Sequence, residues 1–363
     1  MTVTSAETKT QVREQHAAID CDIHNAMPND VTFRKYLPTE WHAHHQSNGR
    51  RGHVGSGYPR AVPHAARVDS WPPSRLPPGG DLGFMREQLL DYWGFDYGIL
   101  NCLGGAGGDL NLPYAAALCR AMNDWQVSEW LEPEPRLRAS LLVPYEDADL
   151  AAAEIARMGD HPGFVQVLLV CRTREPLGHW KYWKMYEAAV RHNLPIGIHF
   201  GGAGGGPITG AGWPTHYMED HAGMSQAFQA QVASYALSGV FDAIPELKVV
   251  LIEGGFAWLP PLMWRLDHHW QHIGNGAVPL KRLPSEYIRD HMWLTTQPME
   301  EPAQKAHFAQ LLDQLQMNDR LMFATDYPHW DFDAPTTAFP VELDSDLKRA
   351  IMADNARNLY SLL

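Results

Sequence analysis

Residues 17–25 read AAIDCDIHN. A short apolar run ends there on Asp22 and His24, and the alternation of a strand turns positions two apart to the same side. Seven further runs have the same form: DYGILNCL (96–103), RLRASLLVP (136–144), GFVQVLLV (163–170), LPIGIHF (194–200), LKVVLIEGG (247–255), MWLTTQP (292–298) and LMFATDYP (321–328). Helix-like stretches lie between them at 85–92, 112–131, 147–158, 180–192, 224–241, 259–270 and 303–315, and 346–363 closes the chain as a helix. Short buried strands alternating with helices predict a parallel sheet. Eight such units in 363 residues predict an α/β fold of the (β/α)8 TIM-barrel type, with an open doubly wound sheet as the alternative.

One long stretch does not fit the alternation. Residues 26–84 are rich in Pro, Gly, His and Arg, and a loop of that length inside a compact domain is functional or disordered. It leaves the end of the first strand, where barrel active sites are built, so it is expected to be an active-site loop insertion. A solvated insertion or an oligomer arm is the plain alternative. The polar segment 1–16 is expected to be a flexible tail, leaving 17–363 as one domain. The Gly-rich loops GGAGGD (104–109) and GGAGGGP (201–207) carry neither a Walker lysine nor a dinucleotide fingerprint, and read as tight turns near a ligand.

Composition narrows the classes. The formal charge is −13 and there is no long Lys/Arg run, which argues against nucleic acid and anionic membranes as partners. Cys21, Cys102, Cys119 and Cys171 are widely spaced and form no CxxC pair. That pattern suits reduced thiols in the cytoplasm. No apolar run reaches 18 residues, and the N-terminus lacks an apolar signal core. The expected partner is a small molecule, and the expected assembly a homo-oligomer, taken as a dimer.

In a barrel the C-terminal ends of the strands converge on one mouth. Asp22 and His24 end the first strand, His199 the fifth, Glu253 the sixth and Asp326 the eighth. Each has an ordinary alternative: a turn residue, a helix cap or a hydrogen-bonded core histidine. Together, acids and imidazoles ending apolar strands need compensation, because an unpaired buried charge is costly. A divalent cation held by Asp22, His24, His199 and Asp326 supplies it, and this ligand set suits Zn or Mn. Glu253 is either a further ligand or an acid/base group, and with four ligands already named the acid/base reading is preferred. His329, three residues after Asp326, orients Asp326 or touches substrate; its alternative is to brace the loop. Arg172, just beyond the fourth strand, is a candidate for binding a substrate carboxylate, with an ordinary surface role as its alternative.

The pieces IDCDIHN, LPIGIHFGG, PELKVVLIEGGFAWLPPLMWRLD, FATDYPHWD and NARNLY together resemble the amidohydrolase superfamily. The resemblance is to its amidohydrolase-2 branch, which contains aminocarboxymuconate-semialdehyde decarboxylase and the resorcylate-type decarboxylases. It spans the chain from about residue 17 to the C-terminus. It implies a barrel with one metal at its mouth, and it places His24, His199 and Asp326 on family ligand positions. Two positions depart from the pattern. Asp22 stands where the family has His or Glu, which hardens the site towards oxygen-loving ions such as Mn. Glu253 stands where many relatives have a histidine that handles protons or polarises substrate.

Two reactions fit the constellation. In non-oxidative decarboxylation of a small aromatic or unsaturated acid, the cation grips the carboxylate or a neighbouring hydroxyl, and Asp326 or Glu253 protonates carbon. In hydrolysis, a metal-activated water attacks and Asp326 takes its proton. The resemblance favours decarboxylation. A non-catalytic metabolite-binding barrel is the third reading, and the intact ligand set counts against it.

Overall fold

The computed structural model describes residues 18–48, 62–104, 106–201, 207–274, 276 and 278–363. The strands are β1 (Ile19–Ile23), β2 (Tyr97–Leu100), β3 (Leu137–Leu142), β4 (Phe164–Val170), β5 (Ile196–His199), β6 (Val249–Ile252), β7 (Met292–Thr295) and β8 (Leu321–Met322). Each pairs in parallel with the next, in the order β1 to β8, with helices between. This is the (β/α)8 barrel. β5 and β6 are buried at every position, which explains why they read as unbroken apolar runs.

The helices follow from local chemistry. The helix Leu112–Gln126 starts at Asn111, whose side chain accepts from the Tyr114 N–H, and Asp147 caps the helix Ala148–Met158 in the same way. Ala115, Leu118, Cys119, Met122 and Trp125 recur at helical spacing and are fully buried against the barrel.

The barrel closes beyond the regular part of β8. That strand has only two residues, and the chain that follows completes the seam with β1. Cys21 N–H donates to Phe323 O at 2.9 Å, Asp326 N–H to Asp22 O at 3.1 Å, and His24 N–H to Tyr327 O at 2.7 Å. The seam therefore sets Asp326 beside Asp22 and His24.

The insertion after β1 contains the helices Asp30–Tyr36 and His42–Asn48. His45 bonds Asp30 Oδ1 at 2.6 Å and the Tyr114 hydroxyl at 2.5 Å, which ties the insertion to the helix after β2. The returning chain runs along the segment after β8: Trp330 N–H donates to Ala65 O at 2.7 Å and Arg67 N–H to Pro328 O at 3.0 Å. Both ends of the insertion thus stand at the C-terminal side of the strands. The tail 1–16 and residues 49–61 of the insertion lie outside the described residues, as do residue 105 and residues 202–206 of the two Gly-rich loops. Among the described residues no helix is long and apolar enough to cross a membrane.

Candidate metal centre

β1 delivers Asp22 and His24, β5 delivers His199, and the turns after β6 and β8 deliver Glu253 and Asp326. All five are buried, and each places a ligand atom within 4.8 Å of the others. His24 Nε2 lies 2.7 Å from Asp326 Oδ1 and 3.4 Å from Asp22 Oδ1. His199 Nε2 lies 3.3 Å from Asp22 Oδ2 and 3.0 Å from Glu253 Oε2. The two imidazoles meet edge to face, with centroids 4.9 Å apart.

The surroundings fix which atoms face the centre. His24 Nδ1 donates to Asn101 O at 2.8 Å, and His199 Nδ1 donates to Phe200 O at 2.6 Å. Both Nε2 atoms are thereby turned inward. Asp22 Oδ2 and His199 Nε2 are buried and have no hydrogen-bond partner. A neutral imidazole lone pair facing a carboxylate is repulsive, and orphaned buried polar atoms are costly. A divalent cation relieves both, so the donor set fits one such ion.

The clustered groups also shift one another's protonation. Burial opposes charge on His199, yet Asp22 and Glu253 hold its pKa well above the ordinary value. Burial would raise Asp326, but His329 and His24 keep it below the usual carboxylate range. Glu253 moves the other way, raised by burial and by the charge of Asp326. His329 donates from Nδ1 to Asp326 Oδ1 at 2.7 Å and stacks on His24 at 4.4 Å. Burial opposes its charge, but Asp326, Glu253 and Asp22 push its pKa up to about 9.

Glu253, expected as an acid/base group beside the four ligands, has its carboxylate in the same cluster and in contact with His199, because the turn after β6 folds back over the mouth. Arg172 stands just past β4, on a cavity of about 470 Å³ that it shares with Thr173, Arg174, Thr209 and Gln231; none of the five clustered residues lines it.

Several supporting residues escaped the sequence reading. Asn101 Nδ2 donates to Asp22 Oδ1 at 2.8 Å while the Asn101 carbonyl holds His24, so one residue orients two members of the cluster. Ser140 and Gln166 both donate to Asn101 Oδ1, forming a polar belt across the barrel. Asp20 accepts from the Asp22 and Thr325 N–H groups and from the Thr325 hydroxyl. Burial pushes its pKa up to about 8. Gln297 donates to Asp326 Oδ2 at 3.3 Å. The only available signal was a polar residue inside or ending an apolar run, which also describes ordinary strand ends.

The model of the amidohydrolase family matches residues 19–362, and the chain belongs to that family. It is an enzyme of the same superfamily. The gamma-resorcylate decarboxylase of Polaromonas sp. strain JS666 is 28% identical over 309 residues, covering 78% of this chain and 88% of that protein. The gamma-resorcylate decarboxylase of Rhizobium radiobacter is 26% identical over 302 residues, with the same coverage. Among solved structures, 5-carboxyvanillate decarboxylase from Novosphingobium aromaticivorans, complexed with manganese, superposes with a TM-score of 0.72 at 20% identity and covers 100% of both chains. The 2,6-dihydroxybenzoate decarboxylase from Rhizobium gives 0.68 at 20% identity, covering 96% of this chain and 99% of that one. These structural likenesses establish the shared barrel.

Proposed function

We propose that this protein is a metal-dependent, non-oxidative decarboxylase of a small aromatic carboxylic acid, with Asp22, His24, His199 and Asp326 as the metal ligands. The observation that carries the metal assignment is the pair of orphaned buried atoms, Asp22 Oδ2 and His199 Nε2, facing the same centre. The likeness to gamma-resorcylate decarboxylases over most of the chain favours decarboxylation over hydrolysis.

When bound, a Zn or Mn ion supplies Lewis acidity and a grip on the substrate carboxylate or a neighbouring hydroxyl oxygen. The residues of the chain do the rest. His24 and His199, their Nδ1 protons committed to backbone carbonyls, present fixed Nε2 lone pairs. His329 holds Asp326 ionised and oriented. Glu253, the carboxyl that burial pushes towards its neutral form, donates the proton to the ring carbon bearing the carboxylate. The ring–carboxylate bond then breaks, CO2 leaves, and its electron pair restores the aromatic ring. Arg172 is assigned to substrate binding in this reading, and the insertion 26–84 to the wall of the mouth. The free, buried cysteines suit the cytoplasm.

The test is a CO2-release assay on a panel of hydroxybenzoates, run beside an amide and lactone hydrolysis screen, before and after chelation. CO2 release that chelation abolishes and Mn or Zn restores is the expected result. Hydrolysis without CO2 release overturns the decarboxylase reading, and activity indifferent to chelation overturns the metal.

A further inference from the structure

The loop after β5 and the segment after β8 build a second polar feature beside the metal centre. Gln297, fully buried at the end of β7, donates through Nε2 to Asp326 Oδ2 at 3.3 Å and to Asp331 Oδ2 at 2.9 Å. The same Asp331 oxygen lies 3.1 Å from His221 Nε2. His221 belongs to the helix Tyr217–Ala222. It is therefore three hydrogen bonds from Asp326, at the outer end of a path that begins at the metal centre.

Nε2 of His221 is committed to Asp331, while Nδ1 has no partner among the described residues, and the side chain is 21% exposed. The hydrogen bond to Asp331 favours the protonated ring, burial opposes it, and the carboxylates of Asp331, Glu253 and Asp326 tip the balance towards charge. Aromatic groups flank it: Trp330 at 5.5 Å and Tyr217 at 5.7 Å between ring centroids. Trp330 Nε1 donates to the Tyr217 hydroxyl at 3.2 Å, and its backbone N–H bonds Ala65 of the insertion. The pair is thus braced from two sides. A preoriented N–H donor between apolar ring faces fits an acceptor oxygen carried on an aromatic ring.

We infer that His221, positioned by Asp331 and flanked by Trp330 and Tyr217, is a specificity-determining residue that binds a second carboxylate on the substrate ring, away from the reacting one. This rests on the aryl-acid reading above. As an imidazolium, His221 donates its Nε2 proton to Asp331 and its Nδ1 proton to the distal carboxylate, Asp331 fixes the direction of the ring, and Gln297 couples the position of Asp331 to that of Asp326.

Binding to the metal-loaded enzyme tests this without relying on turnover. Dissociation constants are measured by titration calorimetry for benzoate, isophthalate and terephthalate. Wild type is expected to bind one of the two dicarboxylates at least about 10-fold more tightly than benzoate, the scale of one charge-assisted hydrogen bond. His221→Phe keeps a ring between Trp330 and Tyr217 but removes the donor, and should bring that ratio close to one while altering benzoate binding little. His221→Gln, which retains an N–H donor, should keep part of the preference and serves if the Phe variant does not fold. Equal affinity for all three acids in wild type overturns the inference but leaves the aryl-acid reading standing, as does a preference unchanged in both variants. Failure of the metal-loaded wild type to bind any of the three removes the aryl-acid reading and this inference with it.

Discussion

Glu253 and Asp326 both hold left-handed backbone conformations, with φ of 58° and 60°. Such geometry is uncommon for residues with a side chain and is kept where the surroundings impose it. Here the Glu253 N–H donates to Thr295 Oγ1 at 3.1 Å and the Asp326 N–H to Asp22 O at 3.1 Å, so each turn is pinned to a neighbouring strand. The turns aim both carboxylates back over the mouth. The role of Glu253 is separable by substitution. Glu253→Gln keeps the shape and removes the proton; it should leave metal content near wild type and lower kcat by about 100-fold. Loss of the metal, measured by elemental analysis, would make Glu253 a ligand. Full metal with unchanged kcat would reduce it to a cap of the Gly254–Gly255 turn.

At the scale of elements, the insertion and the chain leaving β1 meet tightly at Gly79. Gly79 has φ +73°, and a Cβ there would stand 2.2 Å from the His24 carbonyl oxygen. The Ala26 N–H donates to the Gly79 carbonyl at 2.8 Å, so the returning insertion presses on His24, a member of the buried cluster. Gly79→Ala should cost on the order of 1–3 kcal/mol from backbone strain alone, and more from the clash. Because the clash falls on His24, metal affinity should fall with the melting temperature. Gly239→Ala is the control: it shares the positive φ, at +79°, but its Cβ meets nothing within 4 Å. It should lower Tm by the strain alone and leave metal binding intact. Equal loss of metal in both variants would show that the insertion does not bear on the site.

For the whole molecule, the centre is an electrostatic liability. Three carboxylates, Asp22, Glu253 and Asp326, are buried within one cluster whose histidines and orphaned atoms require a cation or protons. A ligand that binds only the folded state stabilises it by mass action, about 2.7 kcal/mol at a free concentration 100 times Kd. Adding Mn or Zn to chelated protein should therefore raise Tm in a concentration-dependent way. His199→Ala removes one imidazole from the centre, so the rise should be small and the purified variant should lack metal. A full rise in Tm with full occupancy in that variant would count against His199 as a ligand.

The sequence alone determined the alternation of strands and helices. Their periodicity is local, and buried parallel strands announce themselves as short apolar runs. It also determined that Asp22, His24, His199, Glu253 and Asp326 end such runs, because a barrel sends every strand's C-terminal end to one mouth. Only the tertiary structure decided how close they come. β8 is too short to fix its own register, and the seam from Phe323 to Tyr327 against β1 is set by long-range hydrogen bonds that no local pattern encodes. The same limit hid Asn101, Asp20 and Gln297, polar residues whose partners lie in distant parts of the chain. It also hid the contact of Glu253 with His199. A strand-end acid reads the same at the metal or behind it, and the turn that brings it to His199 exists only once β5 and β6 lie side by side.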